Sequence, residues 1–173
     1  MEVKEYIRII EKTAVFPREV TSFGIGYCWL GIQDELREFF EKIDNHEWDG
    51  LDGEKGDVTW YICALCQETG LSFEELITPL IEYYQKEDWK KITRESIFMS
   101  IATFSGNIKK FYRDGKRLNE IILKDLLFDI LNIIYYHNTA EEILSILEQN
   151  YSKLLARRAT NTLHGDGDYR EKK

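Results

Sequence analysis

Apolar residues recur at intervals of three and four along most of this chain, and no stretch alternates convincingly with period two. Such spacing lines one face of a helix, whereas a half-buried strand needs strict alternation. The pattern therefore predicts an all-α fold, a helical bundle of about seven helices. Residues 2–13 read as the first helix, with Val3, Tyr6, Ile7 and Ile10 on one side. Pro17 interrupts it, which leaves 14–21 as a loop, and Thr21 or Ser22 is the expected cap of a second helix running to about Ile43. The polar, Gly-containing stretch 44–53 then connects to a third helix over 54–69, stopped by Gly70. Ser72 and Glu75 form a capping box that opens a fourth, in which Pro79 falls.

Arg94 to Arg113 reads as a fifth helix closed near Gly115, and 118–136 as a strongly apolar sixth. A second capping box, Thr139 with Glu142, starts a seventh that runs to about Arg158. Beyond it, residues 159–173 are short of apolar side chains and read as a flexible tail. The division expected is one domain over 1–158. Within it, a slide of 72 positions sets Leu36–Phe39 against Ile108–Phe111 and Asp57-Val58 against Asp129-Ile130. Segments 22–86 and 94–158 therefore read as a degenerate tandem repeat, in which the acidic residues of the first copy are lost from the second.

Those acidic residues are the chemistry-bearing feature. Glu35 and Glu38 lie three apart on the second helix, and Glu54 and Asp57 three apart on the third. On a helical wheel Glu54 falls between Tyr61 and Leu65, in line with Val58, in the middle of the apolar arc. Asp57 lies on that arc's edge. Glu35 borders the arc made by Cys28, Ile32, Phe39 and Ile43, and Glu38 lies further round. An unpaired carboxylate is costly to bury, so acids there call for cationic partners or a metal. Lys42 and Lys55 can partner some of them, but not obviously all four. A cluster of oxygen-only ligands suits a hard divalent ion such as Mg2+.

Other features narrow the field. The net charge of −8 disfavours a general grip on nucleic acid, which depends on neutralising phosphates. The amino-terminal segment is charged and amphipathic, unlike a signal peptide, and no apolar run approaches the roughly 20 residues that span a bilayer. A cytoplasmic protein with no membrane partner is expected. Cys63 and Cys66 have C-x-x-C spacing, but they sit in an apolar run without a second Cys or His pair and read as buried thiols. Asn150, Lys153 and Arg157 share one face of the seventh helix at i, i+3 and i+7, where cations can clamp phosphate oxygens or simply meet the helix dipole.

The E-x-x-E and E-x-x-D pairs resemble the MazG-like nucleoside triphosphate pyrophosphohydrolases of the all-α NTP pyrophosphatase superfamily. The run Gly56-Asp57-Val58-Thr59-Trp60-Tyr61, the segment Lys12-Thr13-Ala14, the Asn150–Arg157 stretch and Gly165–Arg170 are similar to segments of that family. The likeness covers residues 12–77 and 150–170. It departs in the intervening 81–149, which coincides with the degenerate second copy.

The resemblance implies hydrolysis of a nucleoside triphosphate between its α and β phosphates, giving a monophosphate and pyrophosphate. It implies Mg2+, with Mn2+ as a substitute, on Glu35, Glu38, Glu54 and Asp57. Glu38, or Glu35, would orient the attacking water. Asn150, Lys153 and Arg157 would hold the phosphate tail, Arg170 would close over it, and Trp60, Tyr61 or Tyr27 would meet the base. It further implies a homodimer, or a single-chain pseudo-dimer in which the extra helices replace a partner. The competing expectations are a dUTP- or dCTP-specific hydrolase of the same superfamily and a helical binding module without catalysis.

Overall fold

Seven α-helices and one short 3-10 turn, Trp48–Gly50, make up the regular structure of the described residues, and these contain no strand. The structure is a computed structural model, described here for residues 1–14, 16–17, 22–82, 92–160 and 162. The helices are α1 (Val3–Thr13), α2 (Phe23–Asn45), α3 (Leu51–Thr69), α4 (Phe73–Glu82), α5 (Arg94–Asp114), α6 (Glu120–Tyr135) and α7 (Ala140–Ala159). The all-α bundle read from periodicity is thus the fold. No helix of the described residues is long and apolar enough to cross a membrane.

The ends follow local chemistry. Gly70 and Gly115 close α3 and α5 with φ of 75° and 64°, a left-handed conformation that costs glycine little. Thr139 Oγ1 accepts from the Glu142 amide while Glu142 Oε2 accepts from the Thr139 amide, so the capping box at the start of α7 is complete. Ser72 Oγ accepts from the Glu75 amide at α4. Complete boxes also open α1, with Glu2 and Glu5, and α5, where Thr93 pairs with Ser96 in place of the usual Glu or Gln. Pro79 lies inside α4 without ending it.

Two ends differ from expectation. α3 starts at Leu51, earlier than expected, because the 3-10 turn runs directly into it with Gly50 already in helical backbone. Gly53 therefore lies within the first turn, where Asp52 and Glu54 favour the positive end of the helix dipole. At the start of α2, Ser22 occupies the cap position but has a left-handed backbone and makes no side-chain cap bond. The Tyr112 hydroxyl of α5 does that work instead. It accepts from the Gly26 amide at 2.8 Å and donates to the Ser22 carbonyl. A Cβ at Gly26 would stand 2.6 Å from that hydroxyl, so the glycine makes the long-range cap possible.

α3 is the axis of the bundle, packing on α1, α2, α4, α6 and α7. Its second half carries Val58, Ile62, Cys63, Ala64, Leu65 and Cys66, all buried, so apolar side chains surround it on every side. The other helices present one apolar stripe to it. On α1 the buried set is Tyr6, Ile9, Ile10 and Thr13, rotated slightly from the face expected, with Val3 and Ile7 at its margin. The three cysteines are free and buried, and burial pushes the Cys66 thiol up to about 12, out of the reactive range. The expected tail lies outside the described residues except for Ala159, Thr160 and Thr162, of which Thr162 folds back to donate its amide to the Arg157 carbonyl.

Candidate metal centre

The pairing of α2 with α3 is the most extensive helix contact among the described residues, and it places the acidic pairs face to face. Glu35, Glu38 and Lys42 recur at i, i+3 and i+7 on α2, and Glu54, Asp57 and Tyr61 recur likewise on α3. Close approach is allowed by Gly31. A Cβ there would stand 2.2 Å from the Tyr61 ring, so the ring lies directly against bare α2 backbone.

Glu35, Glu38 and Glu54 each place a carboxylate oxygen so that all lie within 4.8 Å of one another. Glu54 is buried at 9% exposure, as its position in the apolar arc foretold, while Glu35 and Glu38 are half-buried. Lys42 Nζ stands 3.4 Å from Glu54 Oε1, and the exposed Arg37 guanidinium holds Glu38 Oε1 at 2.8 Å. Glu35 fares worst electrostatically. Burial first, then the negative charges of Asp57, Glu38 and Glu54, raise its carboxyl to about 8, against a smaller opposing pull from Lys153. Burial and Asp57 also raise Glu54, with Lys42 opposing. Were all four acids ionised, the cluster would hold more negative charge than Lys42, Arg37 and Lys153 balance, which is why Glu35 is driven to hold a proton. A divalent cation fits that deficit and the all-oxygen donor set.

Asp57, the fourth acid, is near enough to perturb Glu35 and Glu54, yet its own oxygens are engaged by α7. Asn150 Nδ2 donates to Oδ1 at 2.8 Å and Lys153 Nζ to Oδ2 at 2.6 Å. Gly56 lets α7 come this close, since a Cβ there would meet Asn150 at 3.0 Å. Asn150 is itself buried, and its Oδ1 accepts from the Tyr6 hydroxyl at 3.0 Å. A relay therefore runs from α1 through α7 to Asp57. Tyr6 entered the sequence reading only as an apolar position, and nothing in the spacing marks its hydroxyl as a link to a residue 144 positions away.

The remaining candidates separate. Tyr61 is half-buried beside the acids, its phenol raised by burial and by a hydrogen bond with Tyr27. Tyr27 is 39% exposed, stacks with Phe23 and lies 5.9 Å from the Tyr61 ring, two turns before Glu35 on α2. Trp60 points elsewhere: it is buried, and its indole N–H donates to Thr13 Oγ1 at 3.2 Å. Arg157 is half-buried on α7, one turn beyond Lys153. Arg170 lies outside the described residues. Comparison with protein-family models, curated proteins and solved structures finds no match to this chain.

Proposed function

We propose that this protein is a divalent-cation-dependent nucleoside triphosphate pyrophosphohydrolase. The observation that carries the reading is the Glu35–Glu38–Glu54 cluster, whose carboxylate oxygens lie within 4.8 Å of one another and in which burial and like charges push Glu35 toward its protonated form, near Lys153 of α7. Glu35, Glu38 and Glu54 would hold the ion, Mg2+ or Mn2+, with Asp57 completing the negative field. When bound, the ion supplies charge neutralisation for triphosphate oxygens in the transition state.

The chain's own groups have the following roles. Lys153, held at Asp57, presents an ammonium to the phosphate tail, with Arg157 one turn further along α7. Asn150 keeps Asp57 oriented from a buried position. Tyr61 and Tyr27 take the base, in preference to the buried Trp60. Glu38 accepts the proton of the attacking water. The water oxygen bonds to the α phosphorus, the bond from that phosphorus to the bridging oxygen breaks, and pyrophosphate leaves with the electron pair.

The test is turnover of each ribo- and deoxyribonucleoside triphosphate with Mg2+ in 18O-water. Monophosphate carrying the label, together with unlabelled pyrophosphate, is expected. Release of inorganic phosphate, or no turnover with any of the substrates, overturns the proposal.

A further inference from the structure

Lys42 occupies a particular place among the cations around the acids. It lies in the last turn of α2, and its side chain reaches across to α3, where Nζ stands 3.4 Å from Glu54 Oε1. The exposed Glu47 is its other acidic neighbour, with Oε2 at 4.0 Å. Arg37 serves the exposed side of Glu38, and Lys153 is bound to Asp57. Glu54 is the most buried of the three clustered glutamates, so Lys42 is the cation set against the deepest one.

The route by which Lys42 gets there is built into the backbone. Gly50 ends the 3-10 turn with φ of −95° and ψ of −7°, angles open to any residue, so no left-handed conformation calls for glycine. What the glycine supplies is room. A Cβ at Gly50 would stand 2.8 Å from Lys42 Nζ, 3.1 Å from Cε and 3.3 Å from Cδ. The end of the lysine stem therefore lies against bare backbone where α3 begins, and that path leads it to Glu54. A divalent ion among the same carboxylates would meet the ammonium as a like charge. Glu47 offers the ammonium a second partner once Glu54 is taken.

We infer that Lys42 is a tethered cation that holds the place of the divalent ion at Glu54 in the metal-free chain, and that binding of the ion must displace it, so the space at Gly50 sets how tightly the site takes its ion. The inference rests on reading the three glutamates as a metal centre.

The test is calorimetric titration of MnCl2 into the full chain and its variants, at one pH and ionic strength. Gly50→Ala leaves every charge in the protein but pushes the far end of the Lys42 side chain away from Glu54. It should tighten Mn2+ binding about 2–5-fold, the fold-change that matches a partly exposed ion pair. Lys42→Met should tighten it at least as much. The double variant should match Lys42→Met, because the space at Gly50 then has no lysine to guide. If Lys42 only met the dipole at the end of α2, Gly50→Ala would leave the affinity unchanged. If Lys42→Met does not fold, Gly50→Ala decides alone. Unchanged or weaker binding in Gly50→Ala, or a double variant tighter than Lys42→Met, overturns the inference and leaves the metal centre standing. No Mn2+ binding by the unsubstituted chain or any variant removes the centre itself, and the inference with it.

Discussion

Replacing Glu35 by Gln should stabilise the metal-free protein, and the gain should depend on pH in a defined way. Burial and the charges of Asp57, Glu38 and Glu54 raise the Glu35 carboxyl from 4.5 to about 8 in the folded chain. Between these values the folded state holds a proton that the unfolded state has lost, so stability falls as pH rises. The contribution of the protonated group is complete below pH 4.5 and gone above about 8. At about 1.36 kcal/mol per pK unit, pH 7 lies roughly 2.5 units into this window, which sets a ceiling of about 3 kcal/mol. Gln is isosteric with the protonated acid and carries no titratable charge. For a chain of this size that ceiling corresponds to a rise of about 6–12 °C in Tm.

The assay is thermal unfolding of both proteins in EDTA from pH 4.5 to 8.5. The difference should start near zero and grow with pH. Glu54 titrates in both proteins, so its own dependence largely cancels in the comparison. With saturating Mg2+ the order should reverse, because only the Glu35 protein gains the full stabilisation of a bound ion. A Glu35→Gln protein that is less stable than its parent at pH 8 in EDTA, or a difference that does not change with pH, would refute the electrostatic reasoning.

Three further perturbations probe the scaffold. Tyr6→Phe removes the donor to Asn150 Oδ1 and leaves a buried acceptor unmade, so urea unfolding should show a loss of about 1–3 kcal/mol. Gly31→Ala drives a Cβ into the Tyr61 ring and should cost about 1–3 kcal/mol as α2 and α3 separate, with cation affinity falling alongside stability in calorimetric titration. Lys153→Met removes a cation that lowers the Glu35 carboxyl, so the midpoint of the pH-dependent stability change should move above that of the unsubstituted chain.

Much of the fold was legible because helix signals are local. The three-and-four spacing, the Thr139–Glu142 box and the glycines at 70 and 115 act within one or two turns, and the helices formed close to where they were read. The start of α3 was misread because Gly50 and Gly53 ordinarily signal a break, whereas here a 3-10 turn feeds the helix through them. The cap of α2 was invisible because its donor and acceptor chemistry comes from Tyr112, far along the chain. The candidate site divides in the same manner. Glu54 on the apolar face of its helix already demanded partners, and the wheel put Glu35 at the border of the apolar arc of the preceding helix. The engagement of Asp57 by Asn150 and Lys153 depends on the docking of α7 against Gly56, which no helical period encodes. Trp60, which the resemblance offered as a contact for the base, is instead a buried side chain whose N–H Thr13 of α1 accepts.

The central claim is that three glutamates of α2 and α3 jointly hold a divalent ion. Anomalous diffraction at the manganese edge from crystals soaked in MnCl2 tests it most directly. One strong peak among the Glu35, Glu38 and Glu54 carboxylates is expected, absent from crystals of Glu54→Ala. A peak elsewhere with none at these three, or a peak that survives that substitution undiminished, would contradict it.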